Sequence, residues 1–159
     1  MINYHAKTIS FGYVAKLYFF CSSKAEFNNM TITLICTGKT SEKYVSEGMG
    51  LYHDRLKHYC KFNLVEIEAG KGEIVQMRKK EGQIILKKIE KQHVFILLDE
   101  SGKEVTSAGF AEILKHYQNI STKSLVFVIG GAYGFSEEVY QRANHKIALS
   151  QLTFPHQLV

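Results

Sequence analysis

Ser124-Leu125-Val126-Phe127-Val128-Ile129-Gly130-Gly131-Ala132-Tyr133-Gly134-Phe135 runs five apolar residues together and then turns to glycine. Such an unbroken, partly β-branched run reads as a strand buried on both faces, as in a parallel sheet. The glycines that follow allow a sharp turn and a close approach of the backbone to a ligand, because no Cβ intervenes. Ser136 is placed to cap a following helix, and Glu137 and Glu138 suit its positive end. Strand, glycine turn and helix in this order build ligand crevices at the carboxyl ends of strands in α/β domains. Taken alone, the same stretch is equally an ordinary βα turn.

Working outward, the same alternation repeats. Thr31–Gly38 reads as a strand ending in a turn. Val45, Met49, Tyr52, Leu56 and Tyr59 recur at helical spacing between Ser41 and Tyr59. Phe62–Ile67 is a second strand. A second helix is expected over Glu73–Lys91, with Ile74, Met77, Ile84, Ile85 and Ile89 toward the core and Arg78, Lys79, Lys80, Lys87 and Lys88 on a solvated face. His93–Leu98 gives a third strand, closing on Asp99-Glu100-Ser101-Gly102-Lys103. A helix capped by Ser107 then runs to Tyr117, burying Phe110, Ile113 and Leu114. After the opening strand come a helix over Ser136–Asn144 and a short strand over Lys146–Leu149. Repeated βα units predict an α/β fold with a mainly parallel sheet and flanking helices.

The length of 159 residues fits one domain with a real core, and 45% hydrophobic with 22% charged residues is ordinary for a globular chain. The net charge of +5 is compatible with an anionic partner without requiring one. Cys21, Cys36 and Cys60 are odd in number and far apart, which argues against a disulfide framework or a zinc site and fits a reducing cytoplasm. His53 and His58 lie on different helical faces, so they make a poor metal pair. No apolar run approaches the roughly 18 residues of a membrane span. Composition changes at Met30, so residues 1–29 are expected to be an extension outside a domain formed by residues 30–159.

Several chemistries are disfavoured. Gly-Gly-x-x-Gly on a late strand does not match the dinucleotide fingerprint, and no phosphate loop, nucleophile elbow or His-Glu-x-x-His helix is present. The last twelve residues, Ala148-Leu149-Ser150-Gln151-Leu152-Thr153-Phe154-Pro155-His156-Gln157-Leu158-Val159, place the chain's one proline before a histidine, after a loop rich in hydrogen-bonding groups.

Together with Phe127–Gly134, this segment resembles the SPOUT class of knotted methyltransferases, and more narrowly the RlmH family. The likeness runs from Met30 to Val159 and includes Thr33-Leu34-Ile35-Cys36-Thr37-Gly38-Lys39, Lys80-Glu81-Gly82-Gln83-Ile84-Ile85-Leu86 and Leu97-Leu98-Asp99-Glu100-Ser101-Gly102-Lys103. The resemblance implies a trefoil-knot fold, an exception to the rule against threaded loops. It further implies an S-adenosylmethionine-dependent methyltransferase acting on N3 of a pseudouridine in 23S ribosomal RNA, cytoplasmic and homodimeric. Carried over residue by residue, the cofactor meets Leu98, Gly130, Leu149, Ser150, Gln151, Leu152, Thr153 and Phe154. Adenine suits an apolar slot such as these leucines and Phe154 supply, and Gly130 permits close approach. Core packing is the equal alternative for each leucine. His156 is a candidate for contacting RNA or shaping the pocket, or it merely fixes the chain's path. No metal is implied, and no catalytic base is assigned. The family pattern continues past the Pro-His segment with an apolar helix and a basic, aromatic tail, so a chain ending at Val159 is expected to leave the knot incomplete. The alternative function is a catalytically inactive remnant that binds RNA or nucleotide only.

Overall fold

The computed structural model describes residues 27–38, 43–70 and 72–148. Five strands and four helices alternate: β1 (Phe27–Thr37), α1 (Lys43–Leu56), β2 (Cys60–Ile67), α2 (Ile74–Lys88), β3 (Val94–Glu104), α3 (Ser107–Asn119), β4 (Ser124–Ile129), α4 (Glu137–Arg142) and β5 (His145–Ala148). The sheet order is β2-β1-β4-β3-β5. Every pairing is parallel. This is the α/β architecture expected from the repeated units, with helices on both faces as a parallel sheet requires.

The five-residue apolar run from Leu125 to Ile129 is wholly buried. Alternate residues feed two cores. Leu125, Phe127 and Ile129 join Ile32, Leu34, Leu56, Phe110 and Leu114 under α1 and α3. Val126 and Val128 join Ile35, Phe95, Ile85 and Val139 under α2 and α4. The period of two in a strand divides one hydrophobic run between two helical layers. Cys36 and Cys60 are buried in the core as thiols of small volume.

The structure corrects several local expectations. Ile74 and Ile84 of α2 face solvent. Its buried positions are Glu81, Gly82 and Ile85. Gly82 is there because a Cβ would run into Ser136 Oγ and Val139 of α4. Periodicity favours the larger apolar residues, but the close helix–helix approach needs the smallest one. Ser136 stands at the N-cap of α4 without a side-chain cap bond. The cap of helix α3 lies one residue earlier than expected: Thr106 Oγ1, not Ser107, accepts the Gly109 amide at 3.0 Å. Strand β3 extends beyond Leu98 to Glu104. Strand β1 includes Phe27, three residues ahead of the composition change at Met30. Residues 1–26 of the expected extension, the knot-forming segment and the candidate contacts Leu149, Ser150, Gln151, Leu152, Thr153, Phe154 and His156 lie outside the described residues. Among the described residues, no helix is long and apolar enough to cross a membrane.

Candidate active site

A cleft of about 560 Å³ opens where the pairing of β3 with β4 ends, at the carboxyl end of β4. Leu98 and Ile129, the last residues paired between β3 and β4, and Gly130 just after them line it together with Asp99, Arg78 and Tyr140. Leu98 and Gly130, both predicted to meet a cofactor, are therefore brought to one cleft. The position agrees with the general rule for open parallel sheets.

Two backbone excursions form its walls. In the first, Leu98 and Lys103 both register with Ile147 of β5, so Asp99–Gly102 bulges out of the ladder and rejoins it. Gly102 makes the return possible, since a Cβ there would lie 2.6 Å from the Ile147 backbone. Asp99 shapes the bulge, its Oδ1 accepting the Ser101 amide at 2.8 Å. In the second excursion, the Gly134 amide donates to the Gly131 carbonyl at 3.1 Å and closes a tight turn. Gly134 has φ of 76°, a left-handed conformation that favours glycine.

The polar groups are tuned by their surroundings. Burial pushes the Asp99 carboxyl up, but hydrogen bonds from Ser101 and Tyr140 and the charge of Lys146 outweigh it and hold the group below the usual range. Asp99 is therefore ionised at neutral pH. Tyr140 donates its hydroxyl to Asp99 Oδ2 at 2.7 Å. Burial, that bond and the Asp99 charge push its phenol from 10.0 up to about 12. Glu81 is buried behind the glycine turn, where its Oε1 accepts the Gly70 amide at 2.7 Å. Burial raises its carboxyl, partly offset by that bond. A Cβ on Gly131 would lie 3.0 Å from Glu81 Oε2, so the glycine leaves room for the carboxylate. Among the described residues, no group of three or more His, Cys, Asp or Glu could hold a metal.

Asp99, Tyr140 and Arg78 carry no assigned role in the sequence reading. Asp99 follows directly on a buried strand and precedes Ser-Gly, a local turn pattern that could have marked it. Tyr140 and Arg78 come from helices remote in sequence and gave no such signal.

Comparison with known proteins fits this geometry. A family model described as "Predicted SPOUT methyltransferase" matches residues 30–159. Among similar curated proteins is ribosomal RNA large subunit methyltransferase H of Christiangramia forsetii, 45% identical over 134 residues, covering 82% of this chain and 85% of the relative. The protein of the same name from Bacteroides thetaiotaomicron is 42% identical over 134 residues, with the same coverage of 82% and 85%. That from Clostridium perfringens strain 13 is 38% identical over 136 residues, covering 81% and 86%. A parallel α/β sheet with a cleft at its strand ends is thus the scaffold of a methyltransferase. The chain belongs to the SPOUT methyltransferases and, within them, to the RlmH family.

Proposed function

We propose that this chain transfers a methyl group from S-adenosylmethionine to N3 of a pseudouridine in 23S ribosomal RNA. The observation that carries the proposal is the convergence of Leu98 and Gly130 on one cleft. The names of the relatives support ribosomal RNA as substrate. The pseudouridine target, the homodimer and the cytoplasmic setting rest on the family resemblance. The matched span, residues 30–159, supports treating that segment as the catalytic unit.

The cleft suits the cofactor. Its volume lies within the range of small-molecule sites, and an apolar floor with a few polar groups is the usual composition. S-adenosylmethionine brings a methyl group already activated on a sulfonium centre, so in-line placement of the acceptor supplies much of the rate. The chain's own residues bind and orient. Leu98 and Ile129 offer an apolar surface from which water is excluded. Gly130 and Gly131 carry the backbone along the cleft, and their missing side chains make room for Phe135 and Glu81 behind it. Asp99, held ionised, offers a carboxylate acceptor to a cationic or hydroxyl group. Strand β5, which pairs parallel to β3, brings Ile147 beside both Leu98 and Lys103 and ends at Ala148. On this proposal Leu149, Ser150, Gln151, Leu152, Thr153 and Phe154 complete the cofactor pocket, and His156 contacts RNA or shapes the pocket.

The test is transfer of a tritiated methyl group to large ribosomal subunits. Label should appear in 23S RNA and be absent from subunits whose RNA lacks pseudouridine. Equal labelling of pseudouridine-free RNA would refute the target, and no labelling of either would refute the activity.

A further inference from the structure

Tyr140 touches the elements around the cleft in an unusual way. Its hydroxyl donates to Asp99 Oδ2 at 2.7 Å, while Asp99 Oδ1 holds the Ser101 amide at 2.8 Å. The same hydroxyl lies 3.4 Å from where a Gly134 Cβ would stand, so it also abuts the glycine turn. Its ring meets Phe135 edge-on, with centroids 5.7 Å apart and an interplanar angle of 81°. Lys146 of β5 places Nζ 5.1 Å from the ring centroid. One side chain on α4 therefore contacts the bulge after Leu98, the turn after Ile129 and the last strand. Packing alone would be served by phenylalanine. A half-buried hydroxyl bonded to a carboxylate adds directional restraint, because hydrogen bonds to charged groups are among the stronger and better-aligned ones.

We propose that Tyr140 is the positioning residue of the cleft, fixing the Asp99–Gly102 bulge against the Gly131–Gly134 turn at the spacing cofactor binding requires. The proposal rests on the reading of this cleft as the S-adenosylmethionine site, and assigns Tyr140 a role acting through Asp99. No contact of Tyr140 with substrate is needed.

The experiment compares the full chain with Tyr140→Phe, Asp99→Ala and the double variant, by amide hydrogen exchange without ligand and by calorimetric titration with S-adenosylmethionine. In Tyr140→Phe, the Ser101 and Gly134 amides should exchange about tenfold faster while those of β1 and β4 stay unchanged. The dissociation constant should rise about tenfold. If Tyr140 acts through Asp99, adding Tyr140→Phe to Asp99→Ala should change neither readout further. The Tyr140 phenol should titrate at lower pH in Asp99→Ala than in the wild type. A merely structural tyrosine would lower stability without this spectroscopic coupling. Unchanged exchange at both amides would overturn the positioning role, whatever the affinity. Faster exchange with unchanged affinity would overturn its link to binding. If the wild type itself fails to bind S-adenosylmethionine, the cofactor reading falls, and the ligand-free exchange still decides whether Tyr140 holds the two loops.

Discussion

Gly130 and Phe135 share a space that admits no further atom: a Cβ on Gly130 would fall 2.8 Å from Phe135 Cζ. Phe135 is buried. It belongs to the core beneath α2 and α4. The glycine at the end of β4 is therefore required by packing as well as by any ligand. Gly130→Ala should lose about 1–3 kcal/mol of stability through overpacking, read from the urea midpoint. Phe135→Leu in the same chain should recover part of that loss. A cofactor affinity that falls in Gly130→Ala but not in the rescued double variant would show that the ring transmits the effect.

Gly134 differs in kind. It has φ of 76°, so its requirement is conformational. Gly134→Val should cost more than Gly134→Asn, because a β-branched residue resists the left-handed region that asparagine tolerates. We expect Gly134→Asn to stay within about 1 kcal/mol of the wild type, with the valine variant clearly below it. Equal melting temperatures for the two would remove the conformational explanation.

Glu81 gives a prediction with a definite sign. Its carboxyl is raised in the fold, mainly by burial. The folded protein then holds a proton more tightly than the unfolded chain, so this group's contribution falls as pH rises from the ordinary carboxylate range through the raised value. Glu81→Gln keeps an acceptor for the Gly70 amide and carries no charge. Its stability relative to the wild type should therefore grow with pH across that window and level off above it. Glu81→Ala, which strands the amide, should cost about 1–3 kcal/mol. Denaturant titrations at a series of pH values would show both, and a difference independent of pH would contradict the assignment.

Tyr140 acts at the other end of the scale. Its phenol rises from 10.0 to about 12, so the stability it contributes is present below pH 10 and is lost as pH climbs toward 12. The stability difference between the wild type and Tyr140→Phe should shrink across that interval. A constant difference would mean that burial and Asp99 do not hold the phenol above its ordinary value.

Thr37 is buried in β1, and its hydroxyl finds no hydrogen-bond partner among the described residues. Thr37→Val keeps the shape and removes the unpaired group. It should raise stability by about 1 kcal/mol, seen as a higher urea midpoint with an unchanged slope. A loss instead would show that the hydroxyl is satisfied in solution.

The order of elements, the parallel sheet and the placing of Gly130 just after a buried strand could be read from the chain alone. Those features follow from local rules: an apolar run of strand length from Leu125 to Ile129, and glycine where the chain must turn. The family could be read as well, because its motifs are strings of neighbouring residues. Helix α2 marks where that reasoning stopped. Periodicity selected Ile74 and Ile84 for burial, but the partner helix presses on Gly82, and the charged Glu81 goes inside because Gly70 meets it there. Nothing within α2 records the distance to α4. The link from Asp99 to Tyr140 likewise joins residues 41 positions apart. The bulge at Asp99–Gly102 depends on where β5 docks. Hydrogen bonds and close contacts act over a few ångströms in space, whatever the separation along the chain, so only the folded structure could decide which side chains hold the cleft together.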